Sequence, residues 1–307
     1  MFARRRERVL PEGVAITLAI PFYSGVPFLA RALRSILAQT DPTWSAVVCD
    51  EGREPGIEEV VRAFGGGRIR YTRNPGTIGI GRNFNRCIDV AETELVTVMH
   101  ADDELMPDYC EKIGAAAARH PAAAAVFCRT RVIDERSEPR FSVPDFIKDT
   151  LIAPHASGDV IVRGEPGIYA LLGGNFINAP TLCFRKTVLG ERRFPIQYKF
   201  VLDLELTSQI VFDGDTIVGI RDRAYRYRRH DDAATSQYTR NQLRFREESE
   251  FYDRMQERAR TRGWDRCVEA ARKKRIIKLN IAYRSLKNAA LLEVGDAMRG
   301  FKLLLDL

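Results

Sequence analysis

Short apolar runs alternate with helix-like segments over the first 120 residues, and this alternation limits the possible folds more than any other feature of the sequence. Four runs have the length of strands, and the first of them is almost continuously apolar, which suits a strand that is covered on both faces. They are residues 15–22, 45–50, 68–74 and 94–100. Helix-like segments follow them at 27–37, 57–64, 81–91 and 108–120. The alternation predicts right-handed crossovers and an α/β fold with a mainly parallel sheet flanked by helices.

The first predicted helix begins with a proline in its first turn, a position that tolerates the missing N–H group. Its apolar residues recur with a period of about 3.6, which indicates one buried face. The residues predicted for that face are Leu29, Leu33, Ile36 and Leu37.

Polar residues that are unusual in such a sheet follow each of the four predicted strands. Ligands of open α/β sheets bind beyond the carboxyl ends of the strands, so these residues are candidates for a binding site. In strand order they are Pro21, Tyr23 and Ser24, then Asp50 and Glu51, then Asn74, and finally His100, Asp102 and Asp103.

The stretch VTVMHADDELMP, residues 96–107, ends an apolar run in a cluster of acidic groups and has two interpretations. In the first, Asp102 or Asp103 caps a helix that begins near Pro107, where the helix dipole favours acidic residues. In the second, the carboxylates bind Mg²⁺ or Mn²⁺, which prefer oxygen ligands and keep positions open for phosphate oxygens.

Composition favours a soluble, unexported chain. The 45% of hydrophobic residues is enough for a core, and the longest apolar runs fall well short of a membrane span. The start, MFARRRERVLPEG, lacks the apolar stretch of a signal peptide. Six cysteines without a CxxC pair fit a reducing compartment. We therefore expect a cytoplasmic protein.

Charge is unevenly distributed along the chain. Residues 236–307 contain 17 Lys and Arg against 10 Asp and Glu, which accounts for the whole net charge of +7. Apolar residues recur there at helical spacing, so one face should pack against the catalytic domain, a second subunit or an anionic lipid surface. The residues of that face are Leu279, Ala282, Leu286 and Ala289.

Five segments, in order, resemble the motifs of family 2 glycosyltransferases of the GT-A fold. Each segment resembles one motif of the family, and together the segments cover about residues 15–236. They are IPFYSGVPFLARALRSILAQT, VVCDEG, RNPGTIGIGRNFNRCIDVAETELVTVMHADDELMP, NFINAPTLCFRKTVLGERRFPIQYKFVLDLELTSQIV and YRYRRHDDAATS.

The resemblance implies transfer of a sugar, with inversion, from a nucleotide-diphosphate sugar such as a UDP-sugar to a hydroxyl group. It implies Mn²⁺ or Mg²⁺ as cofactor, with Asp102 and His230 as metal contacts and Asp203 as the general base. The acceptor would be a carbohydrate, a lipid-linked molecule or a small metabolite. The residues matched to donor binding are Pro21, Tyr23, Ser24, Asp50, Asn74, Arg82, His100 and Asp103.

The resemblance also implies an order of domains. A basic N-terminal extension precedes a GT-A domain with a nucleotide-sugar half and an acceptor half, and a basic helical segment follows. The predicted bounds are 1–14, 15–235 with its halves 15–129 and 130–235, and 236–307.

The chain departs from the family's pattern at several positions. Ser24, Glu51 and Arg53 replace the usual asparagine, aspartate and serine, and Leu202 stands where many relatives have a second carboxylate. His100 replaces the first aspartate of the metal motif; its imidazole could bind Mn²⁺ or donate a hydrogen bond to the ribose.

Other residues keep two interpretations each. Either Asp203 or Glu205 faces the site, because residues two apart on a helix point in different directions. Arg226, Arg228 and Arg229 either meet phosphates or are solvated. The glycines of GIGRN, residues 79–83, offer amides to a phosphate, and LLGGN, residues 171–175, makes a turn or shapes the acceptor pocket.

Two other functions compete with glycosyl transfer. A nucleotidyltransferase would need a lysine- and glycine-rich phosphate loop after the first strand, and PFYSGVPF contains no lysine. A nucleic-acid-binding protein would need aromatics interleaved with basic residues, and the basic C-terminal segment shows no such module. A non-catalytic protein that binds nucleotide sugars or other anionic ligands also remains open.

Overall fold

A computed structural model describes residues 15–52, 54–65, 67–154, 156–230, 234–290, 292 and 294–305. The predicted N-terminal extension, residues 1–14, lies outside these ranges. The strands are β1 Ile16–Phe22, β2 Trp44–Asp50, β3 Ile69–Arg73, β4 Leu95–Val98, β5 Glu104–Leu105, β6 Ala123–Phe127, β7 Thr130–Ile133, β8 Val160–Val162, β9 Cys183–Arg185, β10 Thr216–Gly219 and β11 Tyr225–Arg228.

Thirteen α-helices fall in the described residues: α1 Val26–Leu37, α2 Ile57–Gly65, α3 Ile80–Val90, α4 Tyr109–Arg119, α5 Val143–Ile147, α6 Gly164–Leu172, α7 Lys186–Leu189, α8 Leu202–Phe212, α9 Ala234–Arg240, α10 Leu243–Thr261, α11 Asp265–Lys273, α12 Arg275–Ala290 and α13 Val294–Leu305. A π-helical turn, Lys148–Ile152, follows α5, and a 3₁₀ turn, Ala179–Thr181, precedes β9.

The larger sheet has eight strands in the order β3-β2-β1-β4-β9-β6-β10-β8. The four strands that the sequence predicted are parallel neighbours, each followed by a helix, so this half of the fold is confirmed. Strand β9 is antiparallel to both β4 and β6, and β8 is an antiparallel edge strand beside β10. The sheet is therefore mainly parallel, and its carboxyl-terminal edge collects the loops that carry the polar residues.

Helix α1 covers this sheet through a face that differs from the prediction at one position. Leu29, Leu33 and Ile36 are buried as expected, and Ala32 joins them. Leu37 was predicted wrongly, because its side chain is 46% exposed. It is the last residue of the helix and lies at the margin of the apolar stripe that Leu29, Ala32, Leu33 and Ile36 define.

A second sheet of three strands, in the order β5-β11-β7, lies beyond the end of β4. Strand β5 pairs antiparallel with β11, and β7 pairs parallel with it. This pairing overturns the helix-cap interpretation of Asp102 and Asp103. They precede the strand Glu104–Leu105, and helix α4 begins only at Tyr109, with Asp108 at the cap position.

The loops after β1 and β2 touch each other, which fixes the floor of the candidate site. The Glu51 N–H donates to the Phe22 carbonyl at 3.0 Å. A Cβ at Gly52 would lie 2.1 Å from the Tyr23 carbonyl oxygen, so only glycine fits there. The residues predicted to bind a nucleotide thus come from two loops held in backbone contact.

The C-terminal helices share a hydrophobic core with the sheet. Residues of α10, α11 and α12 pack in one cluster with β1, β4 and α8, including Phe251, Met255, Cys267 and Ile277. A domain boundary near residue 235 stays a prediction. None of the helices in the described ranges is long and apolar enough to cross a bilayer.

The predicted packing face of α12 is wrong. Leu279 and Leu286 are 65% and 62% exposed, and the helix buries Ile277, Ile281 and Ser285 instead. The close approach of α13 accounts for this choice, because a Cβ at Gly300 would lie 2.1 Å from the Ser285 hydroxyl. Ser285 therefore faces α13, and Leu279 and Leu286 are exposed to solvent.

Candidate active site

Three side chains at the end of β4 form a group that could hold a cation. His100, Asp102 and Asp103 each offer one ligand atom, and these atoms lie within 4.8 Å of one another. His100 and Asp102 follow the carboxyl end of a strand near the middle of the sheet, where the topology leaves a cleft. The metal interpretation of VTVMHADDELMP therefore has a geometric basis that the cap interpretation lacks.

Asp102 is held in place by His230, which arrives from the end of β11. The His230 Nε2 atom lies 2.9 Å from Asp102 Oδ2, and the imidazole packs against the Phe28 ring at a centroid distance of 5.1 Å. Burial would raise the pKa of Asp102, but the His230 hydrogen bond and the charges of His100 and His230 outweigh it and lower the pKa. Asp102 is thus kept ionised and oriented.

Asp103 is the buried anchor of this loop. It accepts hydrogen bonds from the backbone N–H of Arg228 at 2.7 Å and from the Tyr225 hydroxyl at 3.0 Å. Burial and the neighbouring Asp102 carboxylate raise the pKa of Asp103, while the bonds from Arg228 and Tyr225 oppose them. Its carboxylate therefore joins β11 to the cluster, and only its remaining lone pairs face the cleft.

Arg228 has neither of the two roles that the sequence left open. It is buried, and its guanidinium donates to the carbonyls of Asp102 and Asp134, to the Glu104 carboxylate and to the Ser137 hydroxyl. Arg226 also contacts Glu104, at 3.3 Å, so these two arginines, which alternate along β11, lie on the same face of the strand. Arg228 is thus a structural cation that supports the loop from behind.

The residues present fit a divalent cation. Ligand atoms around one Mg²⁺ lie about 2.1 Å from it, so about 4 Å from each other at most, and the 4.8 Å within which this group lies is only slightly larger. An imidazole among carboxylates suits Mn²⁺ better than Mg²⁺. Burial lowers the pKa of His100, against the pull of Asp102 and Asp203, so its imidazole is neutral and able to bind a metal.

His230, predicted as a metal contact, uses its Nε2 atom on Asp102 and lies outside this group of three. An imidazole bonded to a metal-binding carboxylate typically fixes the orientation of that ligand. The structure therefore places His230 behind Asp102, and direct contact between His230 and a metal stays a prediction.

The question of which acidic residue of α8 faces the cleft has a clear geometric answer. Glu205 is paired with Arg254 of α10, which donates to it through both Nε and Nη2. Asp203 instead accepts a hydrogen bond from the Asn175 side chain at 3.1 Å, and its charge acts on the pKa of His100. Asp203 is therefore the carboxylate beside the acidic cluster.

A lysine that the sequence did not single out supports Asp203. Lys148 donates to the Ile177 carbonyl at 3.2 Å and to Asn178 Oδ1 at 2.6 Å. Burial lowers the pKa of Lys148 to about 8, although the Asp145 and Asp203 carboxylates oppose this. In turn, burial raises the pKa of Asp203, and the charge of Lys148 together with the Asn175 hydrogen bond limits the rise.

Asp50, matched to contact with the nucleotide base, is buried and already hydrogen-bonded. Its Oδ1 accepts from the Gly52 N–H at 2.7 Å, and its Oδ2 accepts from the Tyr71 hydroxyl at 2.7 Å and from Arg73 at 2.8 Å. Tyr71 and Arg73 alternate along β3 and so project to the same face. A base that reached Asp50 would therefore meet the exposed Arg73 guanidinium first.

Asn74, matched to the nucleotide and diphosphate, is also buried and occupied. Its side-chain amide donates to Asn83 at 2.9 Å, and Asn83 donates to the Cys49 carbonyl. In GIGRN, whose amides the sequence interpretation offered to a phosphate, the Gly79 amide donates to Glu51 Oε2, and so does the amide of the preceding Ile78. These groups shape the cleft by fixing α3 to the end of β2.

The remaining donor candidates differ in exposure. Tyr23, Ser24 and Arg82 are exposed, and Pro21 is half-buried at the end of β1. Their side chains are therefore accessible to a ligand, while their contact with a nucleotide sugar stays a prediction.

Of the two glycine-rich stretches, LLGGN forms a turn that packs against the π-helical turn Lys148–Ile152. Gly173 follows α6 directly, and Gly174, at a φ of 146°, lies against Ile152. A Cβ at Gly174 would come 2.7 Å from that side chain. The turn places Asn175 within hydrogen-bonding distance of Asp203. Asn175 is the first residue of the segment NFINAPTLCFRK, and this position is the sequence signal that could have identified it.

Comparison with known proteins shows which family this chain resembles. Residues 17–162 match the model of glycosyl transferase family 2. Over these residues, a little under half of the chain, the protein is similar to that family of glycosyl-transferring enzymes. An uncharacterised glycosyltransferase of Rickettsia typhi is 24% identical over 236 residues, which cover 74% of this chain and 68% of that protein.

Solved structures are similar in fold. S. aureus TarS residues 1–349 in complex with UDP-GlcNAc superimposes with a TM-score of 0.59 at 19% identity, over 80% of this chain and 65% of TarS 1–349. TarS 1–349 in another crystal structure gives 0.56 at 17% identity. At such identities the likeness shows the fold, and the predicted GT-A class is confirmed.

The chain spans only part of some relatives. An uncharacterised protein of Mycobacterium tuberculosis is 32% identical over 99 residues, which are 32% of this chain and 31% of that protein. The match to TarS 1–349 covers about two thirds of its length. The fold and the similarity to family 2 glycosyltransferases are thus established here, and donor, acceptor and reaction are matters for proposal.

Proposed function

We propose that the protein transfers a sugar, with inversion, from a nucleotide-diphosphate sugar, a UDP-sugar being favoured, to a hydroxyl group of an acceptor. One observation carries the proposal: Asp203, which has no arginine partner among the described residues, accepts a hydrogen bond from Asn175 at 3.1 Å, and its charge acts on His100 at the end of β4. In a single displacement the acceptor hydroxyl attacks the anomeric carbon while the diphosphate leaves, so the general base must lie close to the diphosphate site.

The base has a defined task in this reaction. An acceptor hydroxyl must lose its proton as its oxygen attacks the anomeric carbon, and a carboxylate in contact with it accepts that proton as the bond forms. Asp203 accepts the proton, Asn175 orients its carboxylate, and Lys148 favours its ionised form. Attack opposite the departing diphosphate inverts the anomeric configuration.

Asp102, His100 and the free lone pairs of Asp103 are the residues that would hold Mn²⁺ or Mg²⁺. The ion would neutralise charge that develops on the diphosphate as it leaves. His230 keeps Asp102 ionised and oriented for this purpose, and Arg228 and Tyr225 fix the loop that carries all three groups. UDP-GlcNAc bound to TarS supports the choice of a UDP-sugar.

Calorimetric titration with UDP, GDP and dTDP, each with Mn²⁺ and with a chelator, tests the proposal. We expect one diphosphate to bind with Mn²⁺, and binding to be lost with chelator and in Asp102→Ala. His230→Ala should weaken metal-linked binding by about 10- to 100-fold, as for other residues that orient a metal ligand.

Asp108→Asn is the matched control for that titration. Asp108 is half-buried, follows the same acidic stretch and pairs with Lys112 at 2.7 Å. Its substitution should leave nucleotide binding unchanged. If no diphosphate binds in a metal-dependent way to the unaltered protein, the proposed function is wrong.

Lys148 predicts a specific pH dependence. Because its charge lowers the pKa of Asp203, Lys148→Met should raise that pKa further, and the acid limb of kcat/KM should move to higher pH. Lys148→Arg keeps the charge and should leave the limb close to its original position. The profile of kcat/KM against pH for the three proteins measures this. If their acid limbs lie at the same pH, the charge of Lys148 does not act on the general base.

The C-terminal helices suggest where the protein works. Leu279 and Leu286 of α12 and Met298 and Leu305 of α13 are exposed, in a segment that carries the chain's net charge of +7. Apolar and basic side chains together suit an anionic lipid surface, whereas two copies would bring like charges together. We expect sedimentation with vesicles to increase with their anionic lipid content and to disappear in Leu279→Ser/Leu286→Ser; a dimer that binds no vesicles would contradict this.

A further inference from the structure

A cavity of about 200 Å³ is lined by Lys148 and by Phe176, the residue after Asn175, and it lies away from the predicted nucleotide residues. The ends of β6 and β10 form its floor, and the segment 140–154, which contains α5, forms its wall. In the sheet, β4 and β9 separate β6 from β1, so the cavity and the nucleotide loops lie on opposite sides of the cluster at the end of β4.

Lys148 connects the cavity to the candidate base. It lines the cavity, donates to Asn178, which also lines it, and lowers the pKa of Asp203 by its charge. Phe176, another lining residue, follows the asparagine that bonds to Asp203. A molecule in this cavity is therefore next to the group that would deprotonate an acceptor.

The lining is strongly basic. Five cationic side chains surround the cavity with only two carboxylates among them: Arg129, Arg140, Lys148, Arg221 and Arg223 against Asp145 and Asp149. Both carboxylates are already paired, Asp145 with Arg229 and Asp149 with Arg129 and Arg223. The excess positive charge is thus not compensated inside the cavity.

Three of these cations have no carboxylate partner within hydrogen-bonding distance among the described residues. Arg140 donates to the Arg229 carbonyl, and Lys148 donates to a carbonyl and an amide oxygen. Arg221 is exposed at the end of β10 and makes no ion pair with any residue that the structure describes. Arginine forks and an ammonium group that converge in this way are the donors that bind phosphate and carboxylate oxygens.

We propose that this cavity binds an oxyanion, a phosphoryl or carboxylate group, carried by the acceptor. The inference rests on the proposed function, because it takes Asp203 as the base that the acceptor hydroxyl must reach. Ligand pockets usually enclose about 300–1,000 Å³, so a cavity of this size holds one anionic group rather than a whole acceptor. The rest of the acceptor then extends toward Asp203 and the exposed Phe141 and Phe146 at the rim.

Calorimetric titration with inorganic phosphate, glycerol 3-phosphate, glucuronate and neutral glycerol tests the inference, with UDP and Mn²⁺ present to fill the donor site. We expect phosphate compounds or glucuronate to bind and glycerol not to bind. Arg140→Gln/Arg221→Gln should weaken anion binding by about tenfold or more, while binding of UDP is unchanged. Phosphate-only or glucuronate-only binding identifies which oxyanion the acceptor carries.

Arg62→Gln is the matched control, since Arg62 is an exposed arginine of α2 paired with Glu58. Thermal unfolding of each variant confirms that the fold is intact. The inference is wrong if no anion binds, if the double variant binds anions as well as the unaltered protein, or if Arg62→Gln weakens them equally. In each case retained UDP binding leaves the proposed function standing. If none of UDP, GDP and dTDP binds while anions still bind, the function is refuted, and the cavity is an anion site without an acceptor role.

Discussion

Replacement of Asp203 by asparagine is expected to lower kcat by about 10²- to 10⁴-fold, the usual contribution of a positioned general base. The amide has the size of the carboxylate and can still contact Asn175, but it cannot accept the acceptor's proton. Release of UDP from the UDP-sugar that the protein binds, followed with and without acceptor, measures the effect. KM for the donor should change little, because Asp203 lies on the acceptor side of the cluster.

Glu205→Gln is the control, because Glu205 lies in the same first turn of α8. Its carboxylate is occupied by Arg254, so its loss should affect the contact between α8 and α10 and leave kcat nearly unchanged. If Glu205→Gln lost turnover and Asp203→Asn kept it, the assignment of the base would be reversed. If both variants kept turnover, neither carboxylate would be the general base.

The sequence predicted the parallel half of the fold because that half depends on local patterns. Each strand of β1 to β4 is an apolar run of a few residues, and each crossover helix repeats its apolar residues with a helical period. The antiparallel β9 has three residues and β5 has two, so neither contains a period that could be recognised. Their partners are far away in the sequence, and only tertiary pairing defines them.

The candidate site shows the same division. Motif positions singled out Asp102, Asp203 and His230; the structure joins Asp102 and His230 by a hydrogen bond, and the charge of Asp203 acts on the pKa of His100. The motifs did not show that Asp50 and Asn74 would be occupied by hydrogen bonds from the protein, because Tyr71 and Asn83 provide those bonds across strands and helices. Residue identity predicts which chemistry is present, whereas packing decides which groups remain free.

The face of α12 shows a physical limit of pattern analysis. Leu279 and Leu286 form a regular apolar stripe, yet the helix buries Ile277 and Ile281 on nearly the opposite side. Both stripes satisfy the helical period, so periodicity alone cannot choose between them. The choice depends on Gly300, which lets α13 approach Ser285, and on the core beneath α10.

Arg228 supports the second large prediction, a loss of stability. Arg228→Met removes a buried cation and leaves the Glu104 carboxylate, itself buried, with only the more distant Arg226 as an ion-pair partner among the described residues. Breaking a buried ion pair typically costs about 3–5 kcal/mol, and the remaining Arg226 places our expectation near the lower end. Urea unfolding should show a lower midpoint with an unchanged slope.

Arg226→Met isolates the cause of that loss. Arg226 contacts the same Glu104 carboxylate but its side chain is 37% exposed, and exposed pairs contribute about 0–1 kcal/mol. We therefore expect its unfolding midpoint to stay close to that of the unaltered protein. Equal losses of stability in the two variants would mean that the buried charge of Arg228 does not cause the loss.

Arg228 also donates to the Asp102 carbonyl at 2.6 Å. Arg228→Met should therefore weaken metal-linked nucleotide binding under conditions where the variant is folded, whereas Arg226→Met should not.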